Sequence, residues 1–238
     1  MKFYQFYKRF GLYLILVLVF LFFSIFADHF FSTTNFINIL RQVSIFGTAV
    51  IGAAIVMIAG QCDMSVGGIV AMGGIIAAMC MTNWHLPIWL TIVITVLFCA
   101  LVGVINGLLT VTFFIPGFIA SLGMMLVLNG LAYVVSGGVA IFGLPSGYSF
   151  LGQGYVGVIP FPVIVFVLVC VLGTFLMTKT YFGRSIYALG GNPTAANLAG
   201  INVKRITVIA YVLWFCDSGI LSLGQASRQI WRRSCDCL

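Results

Sequence analysis

Uncharged apolar runs close to the length of a lipid bilayer recur along this chain and leave it few ways to fold. Residues 11–27 carry no charge, and runs of the same kind follow at 43–60, 66–81, 88–109, 118–135 and 161–178, with a seventh beginning at Ile206. Hydrocarbon offers no water to pair with backbone N–H and C=O groups, so a segment of about 20 apolar residues satisfies them only as a helix. The expected fold is all-α, a polytopic transmembrane helix bundle with about six to seven spanning helices. Composition agrees: 62% of the 238 residues are hydrophobic and 6% are charged, against about 25% charged in a soluble domain.

The formal net charge is +7, and all four acids are Asp. On a soluble domain that balance would suggest nucleic acid. Here the cations flank apolar runs and act as topology signals in membrane lipid, so no nucleic-acid partner is expected. Lys2, Lys8 and Arg9 precede the first run and place the N-terminus in the cytoplasm. That run is read as a retained span rather than a signal peptide, because no clean small-x-small cleavage site follows it. Counting from there, the inner segments hold Lys2, Lys8, Arg9, Lys179, Arg184, Lys204 and Arg205, while Arg41 falls outside. The parity breaks at the end of the chain, where Arg228, Arg232 and Arg233 would lie on the outer side. The expected division is a transmembrane domain over 1–213 and a discordant tail over 214–238.

Polar breaks separate the runs. Residues 28–42 hold a cap cluster, Ser32, Thr33, Thr34 and Asn35, ahead of a short amphipathic turn expected to lie along the outer interface before the second span starts at Val43. Residues 136–160, rich in Gly and without charge, form a long outer connection. Residues 179–205 are the one long basic, polar segment between two strongly apolar runs. Within it, Asn192 and Pro193 start a helix: Asn caps free N–H groups, and Pro at the first helical position gives up an N–H that needed no partner. Gly200 is the matching stop. The resulting two turns are too short to persist alone in water and are expected to pack on something. Ala195, Leu198 and Ala199 share one face at helical spacing. Such an element suits a docking site for a soluble partner or a connector that tiles the end of the bundle.

Asp63, with Ser65, lies between the second and third runs among Gly60, Gly67 and Gly68, where the backbone can be broken and buried within protein. A charge at the bilayer centre costs about 2.5–3.5 kcal/mol on insertion scales. Asp63 is thus a candidate pathway or gating residue, or else an Asp whose carboxylate caps the third helix. Asn106 and Asn129 stand inside spans, as interhelical hydrogen-bonding groups or as contacts for a polar solute. Gly103 and Gly107 form a GxxxG, and Gly47, Gly52, Gly73, Gly74, Gly123 and Gly130 add small positions where helices can approach closely. His29 and His85 sit at outer boundaries beside aromatics and read as interfacial anchors. Cys62, Cys80, Cys99 and Cys170 read as buried thiols, and the CxC of Cys235 and Cys237 lacks a second ligand pair, so no metal site is expected. A GxxxxGK[ST] phosphate cradle is absent from the sequence. ATP, if used, is held by another subunit.

Three stretches, GQCDMSVG at 60–67, GFIASLGM at 117–124 and GRSIYALGGNPTAANLAGINVKR at 183–205, together make the chain resemble the monosaccharide-type ABC importer permeases, the membrane subunits of ribose, xylose and galactose uptake systems. The likeness runs from about Asn35 to Leu213. It implies a multi-pass protein of a bacterial inner membrane, paired with a second permease subunit, two cytosolic ATPase subunits and a periplasmic sugar-binding protein. It further implies that Asn192, Pro193, Ala195, Ala196, Leu198, Ala199 and Gly200 form the short cytoplasmic coupling helix that seats in the ATPase. The chain itself would bind no cofactor and perform no covalent chemistry, so it would not be an enzyme. Gln61 and Cys62 depart from the family's usual GGIDLSVG, Gly117 stands where a second Pro is common, and Asn129 where many relatives carry Arg. Relatives continue past the position of Leu213 with further apolar helices, and nothing after Trp214 carries the likeness. A frameshift or early stop in a longer permease is the expectation. The alternatives are an ion-coupled secondary carrier, which would call for several coupling acids and inverted repeats, and an inactive truncated permease.

Overall fold

A computed structural model describes residues 2–26, 30–139, 141 and 144–235. Ala27, Asp28, His29 and Cys237, with the expectations attached to them, lie outside the described residues. The chain divides into two units, Met1–Gln42 and Val43–Leu238, and the division falls within the second helix.

In the first unit, α1 (Lys2–Phe26) is followed by a turn at Phe30 and Phe31, and then by α2 (Thr33–Ile58). The Phe20 and Phe30 rings meet edge to face with centroids 5.2 Å apart. The Ser32 hydroxyl accepts the Asn35 N–H at 3.1 Å, and the Asn35 amide donates to the Phe30 carbonyl at 2.8 Å. The cap cluster therefore starts a helix where expected. The separate amphipathic turn before a span at Val43 is corrected: helix runs unbroken from Thr33, since neither Pro nor Gly interrupts it before Gly47.

The second unit holds the rest of α2 and then α3 (Val66–Thr82), α4 (Ile88–Thr112), α5 (Gly117–Ser136), α6 (Ser149–Gln153), α7 (Phe161–Lys179), α8 (Tyr181–Gly191), α9 (Pro193–Leu198) and α10 (Val203–Cys235). Among the described residues, five helices are long and apolar enough to cross a membrane, and Tyr13–Phe26 and Val66–Thr82 are shorter apolar helices. The bundle is all-α and polytopic, as the apolar runs require.

α10 is the centre of this unit. It packs on α4, α3, α6 and α8. In its Val203–Ser227 window 67% of residues are buried, against 11% for α7. The approach to α4 depends on the GxxxG. A Cβ on Gly103 would stand 2.9 Å from the Phe215 Cβ and 3.0 Å from the Tyr211 carbonyl oxygen, and one on Gly107 would stand 3.0 Å from the Val208 Cα. A Cβ on Gly73 would fall 2.6 Å from the Ser222 hydroxyl, which closes α3 onto the same helix. Gly123 and Gly130 behave otherwise, for nothing lies within 4 Å of a Cβ on either. Among the described residues, the close approach expected of them is not made.

The 136–160 connection is less irregular than its composition suggests. Tyr148 is fully buried and donates its hydroxyl hydrogen to the Leu223 carbonyl at 3.2 Å. α6 follows, seated so close to α10 at Gly152 that a Cβ there would overlap the Ser227 hydroxyl. Two short antiparallel strands, β1 (Tyr155–Val156) and β2 (Ile159–Pro160), close the connection. The segment 179–205 also holds more helix than expected: α8 precedes α9.

Gly103→Ala and Gly123→Ala gain the same helix propensity, about 1 kcal/mol. In detergent, Gly103→Ala is expected to lower the thermal unfolding midpoint, because overpacking of about 1–3 kcal/mol outweighs that gain. Gly123→Ala is expected to hold or raise it.

Candidate functional site

Most of the polar residues of interest gather at the end of the bundle where α2 and α4 stop and α5 begins. α2 stops because Gly60 takes φ +80°, a conformation glycine adopts without strain. The Gln61 N–H then turns back to the Val56 carbonyl at 3.1 Å and the Gly60 N–H to the Met57 carbonyl at 3.0 Å, a helix end of the Schellman kind. With those two oxygens taken, the Ile58 carbonyl faces out of the helix end. Residues 61–64 are not helical, and Ser65 leads into α3.

Asp63 binds this break to two other helices. One carboxylate oxygen accepts the Ser65 N–H at 2.7 Å and also the Ser65 hydroxyl. The other accepts the Asn106 side-chain amide of α4 at 2.9 Å. Next to it, the Met64 N–H donates to the Ser121 hydroxyl of α5 at 3.0 Å. Asp63 thus holds an Asx-type turn ahead of α3 rather than capping free N–H groups within it. The Trp214 indole N–H of α10 is near enough to assist but closes no full hydrogen bond.

Asp63, Ser65 and Asn106 are therefore one cluster. Asn106 is completely buried and serves as an interhelical hydrogen-bonding group. Asn129 does not join them: it is exposed on α5. Cys62 is exposed, which corrects its reading as a buried thiol; the break that frees the backbone also frees its side chain. Cys80 and Cys99 are buried as expected, and Cys170 is half-buried. Ser121, Tyr211 and Trp214 were missed. Ser121 stood within a recognised stretch, but nothing in its sequence neighbourhood marks it as the acceptor for a residue 57 positions earlier.

The basic segment folds as two helices meeting at Asn192. The Thr180 hydroxyl accepts the Gly183 N–H at 3.3 Å and opens α8. The Asn192 side-chain oxygen accepts the Ala195 N–H at 3.0 Å and opens α9, with Pro193 at its first position. Gly200 ends it at φ +82°, and the Ile201 N–H returns to the Ala196 carbonyl at 3.0 Å. Asn202 then caps α10 through the Arg205 N–H at 3.1 Å. Of the expected face, Ala195, Leu198 and Ala199 are exposed, Leu198 to 84%. Ala196 is 2% exposed and anchors the helix from beneath. Lys179, Arg184, Lys204 and Arg205 precede and follow it along the chain, all exposed, and Lys204 lines a cleft together with Pro193, Thr194 and Asn197. This cleft of about 840 Å³ separates α9 from the C-terminal ends of α2 and α4, lined among others by Gln61, Thr110, Gly190, Thr194, Asn197 and Lys204.

A family model described as "branched-chain amino acid transport system / permease component" matches residues 35–221, further along α10 than the motifs alone carried. The ribose import permease protein RbsC of Haemophilus influenzae is 36% identical over 206 residues, covering 84% of this chain and 61% of that one. RbsC of Bacillus subtilis is 38% identical over 214 residues, 89% and 64% of the two chains. The L-arabinose ABC transporter permease protein AraH of Azospirillum brasilense is 33% identical over 224 residues, 94% and 66%. The chain thus spans less than two thirds of the length of these relatives. No solved structure matches it.

Asp63→Ala leaves the Ser65 N–H and the Asn106 amide without their acceptor and is expected to destabilise the fold by about 1–3 kcal/mol. Asn106→Ala is expected to destabilise it too. Because the two residues share one bond, the double variant is expected to fall short of the sum by about 0.5 kcal/mol or more. Denaturation in mixed micelles measures all three.

Proposed function

The chain belongs to the branched-chain amino acid transport system / permease component family, and from that premise we infer that it is the membrane subunit of an ATP-driven importer that translocates a monosaccharide. It sits as a multi-pass protein in a bacterial inner membrane with its N-terminus in the cytoplasm. A second permease subunit completes the conduit, two cytosolic ATPase subunits drive it, and a periplasmic sugar-binding protein supplies it. ATP stays on the ATPase, and the chain itself makes and breaks no covalent bond.

The observation that carries this reading is α9. A six-residue helix capped by Asn192 presents Ala195, Leu198 and Ala199 outward while Ala196 pins it to the bundle. A helix of that length has no stability of its own, and a connector has no reason to hold a large apolar side chain 84% exposed in an otherwise basic, polar segment. A protein partner that covers Leu198 accounts for both. Movement of the ATPases on binding and hydrolysing ATP passes through this helix to the spans and switches the side on which the conduit opens.

Replacing Ala195 and Leu198 together by Asp is expected to abolish co-purification of the ATPase subunit and ATP-dependent sugar uptake into vesicles, with the amount of membrane-inserted chain unchanged. Uptake that follows an ion gradient and is indifferent to ATP would point to a secondary carrier instead.

A further inference from the structure

The outward-facing Ile58 carbonyl at the end of α2 meets the backbone of α8. A Cβ on Gly190 would overlap the Ile58 carbonyl oxygen and stand 3.0 Å from the carbonyl carbon. Only a hydrogen atom fits there. Gly60 closes on the same point, where a Cβ would lie 3.7 Å from the Gly190 Cα. Gly191, the next residue in the same helix, has nothing within 4 Å of a Cβ. The tight contact is therefore specific to one position, two residues before the Asn192 cap of α9. Beside it lies the 840 Å³ cleft, which leaves α9 room on the side facing α2 and α4. On the far side of Ile58, five residues along the chain, Asp63 is bonded to Asn106, and Met64 to Ser121.

We propose that Gly190 is a positioning residue: the pivot at which displacement of α9 is handed to the end of α2, and from there to the Asp63 break that joins α3, α4 and α5. This rests on the reading of α9 as the ATPase-docking helix. The physics is steric. A backbone-to-backbone contact with no side chain between the partners does not absorb movement as rotamer change, whereas the cleft beside it does allow α9 to swing. Rotation of the α8–α9 pair about this point therefore reaches residues 59–65 directly.

Cys62, free and exposed within the break, is a native reporter of that arrival. With the other six of the seven cysteines replaced, its alkylation rate by a maleimide is compared in Gly190→Ala and Gly191→Ala, which share the same change in helix propensity. In the chain alone, Gly190→Ala is expected to shift the rate about fivefold, and Gly191→Ala to leave it unchanged. With the ATPase subunit bound, adding ATP is expected to change the rate about fivefold in the parent and in Gly191→Ala but not in Gly190→Ala, which still captures the ATPase. Equal rates for the two variants in the chain alone would overturn the proposal while leaving the docking role of α9 standing. A full ATP response in Gly190→Ala, or loss of ATPase capture together with the response, would overturn it as well. Failure of the parent chain to capture an ATPase, with the rates of the two variants still different, would overturn the docking reading and leave only the local contact.

Discussion

Helices in lipid gain nothing from hiding apolar surface, because the solvent is as apolar as they are. Their cohesion comes from van der Waals contact at short range and from a few hydrogen bonds, and both require backbones to come close. In this chain that requirement converges on α10. Gly103 and Gly107 admit it from α4, Gly73 from α3 and Gly152 from α6. The Asp217 carboxylate adds a polar tie across the bundle to the Gly52 N–H of α2 at 3.1 Å. Remove the close approach along α4 and the neighbours of α10 lose the surface on which their own contacts are organised.

The end of the bundle where α2 stops is built on a different principle. There the chain gives up helix between Gly60 and Ser65; the freed Met64 N–H is taken up by Ser121 of α5 and the Ser65 N–H by Asp63, whose carboxylate is in turn held by Asn106 of α4. A break of this kind is tolerated at membrane depth only when protein surrounds it. It turns three separate spans into one mechanically connected unit, with Asp63 at the centre and Cys62 left outside.

Much of this was legible in the sequence. The bounds of α3, α4, α5 and α7 were readable to within a few residues, because apolar length is a one-dimensional property and lipid allows one answer to it; α1 begins well ahead of its apolar run. Asn192, Pro193 and Gly200 were readable because capping is local. The amphipathic start of α2 was not, since polar residues at 32–42 look like a break whether or not the backbone continues through them. α8 was hidden by its three glycines, Gly183, Gly190 and Gly191, which weaken the helical signal. Among small residues, nothing in the sequence separates Gly103, where a Cβ would meet Phe215 and Tyr211, from Gly123, where a Cβ would meet none of the described residues within 4 Å. The partners of Asp63 were out of reach for the same reason: Asn106 is 43 positions away, and only the folded bundle brings it within 2.9 Å.

The 33 residues of α10 form a rod roughly 50 Å long, well beyond the hydrocarbon thickness of about 30 Å. No proline interrupts it, and it is held at its first turn by the Asn202 cap and again past its midpoint, at Leu223, by the buried Tyr148. A stiff strut held in this way does not bend in the middle. Tilt imposed at its foot must reappear as sideways travel at its head, carrying Tyr148 and α6 along like the far seat of a seesaw.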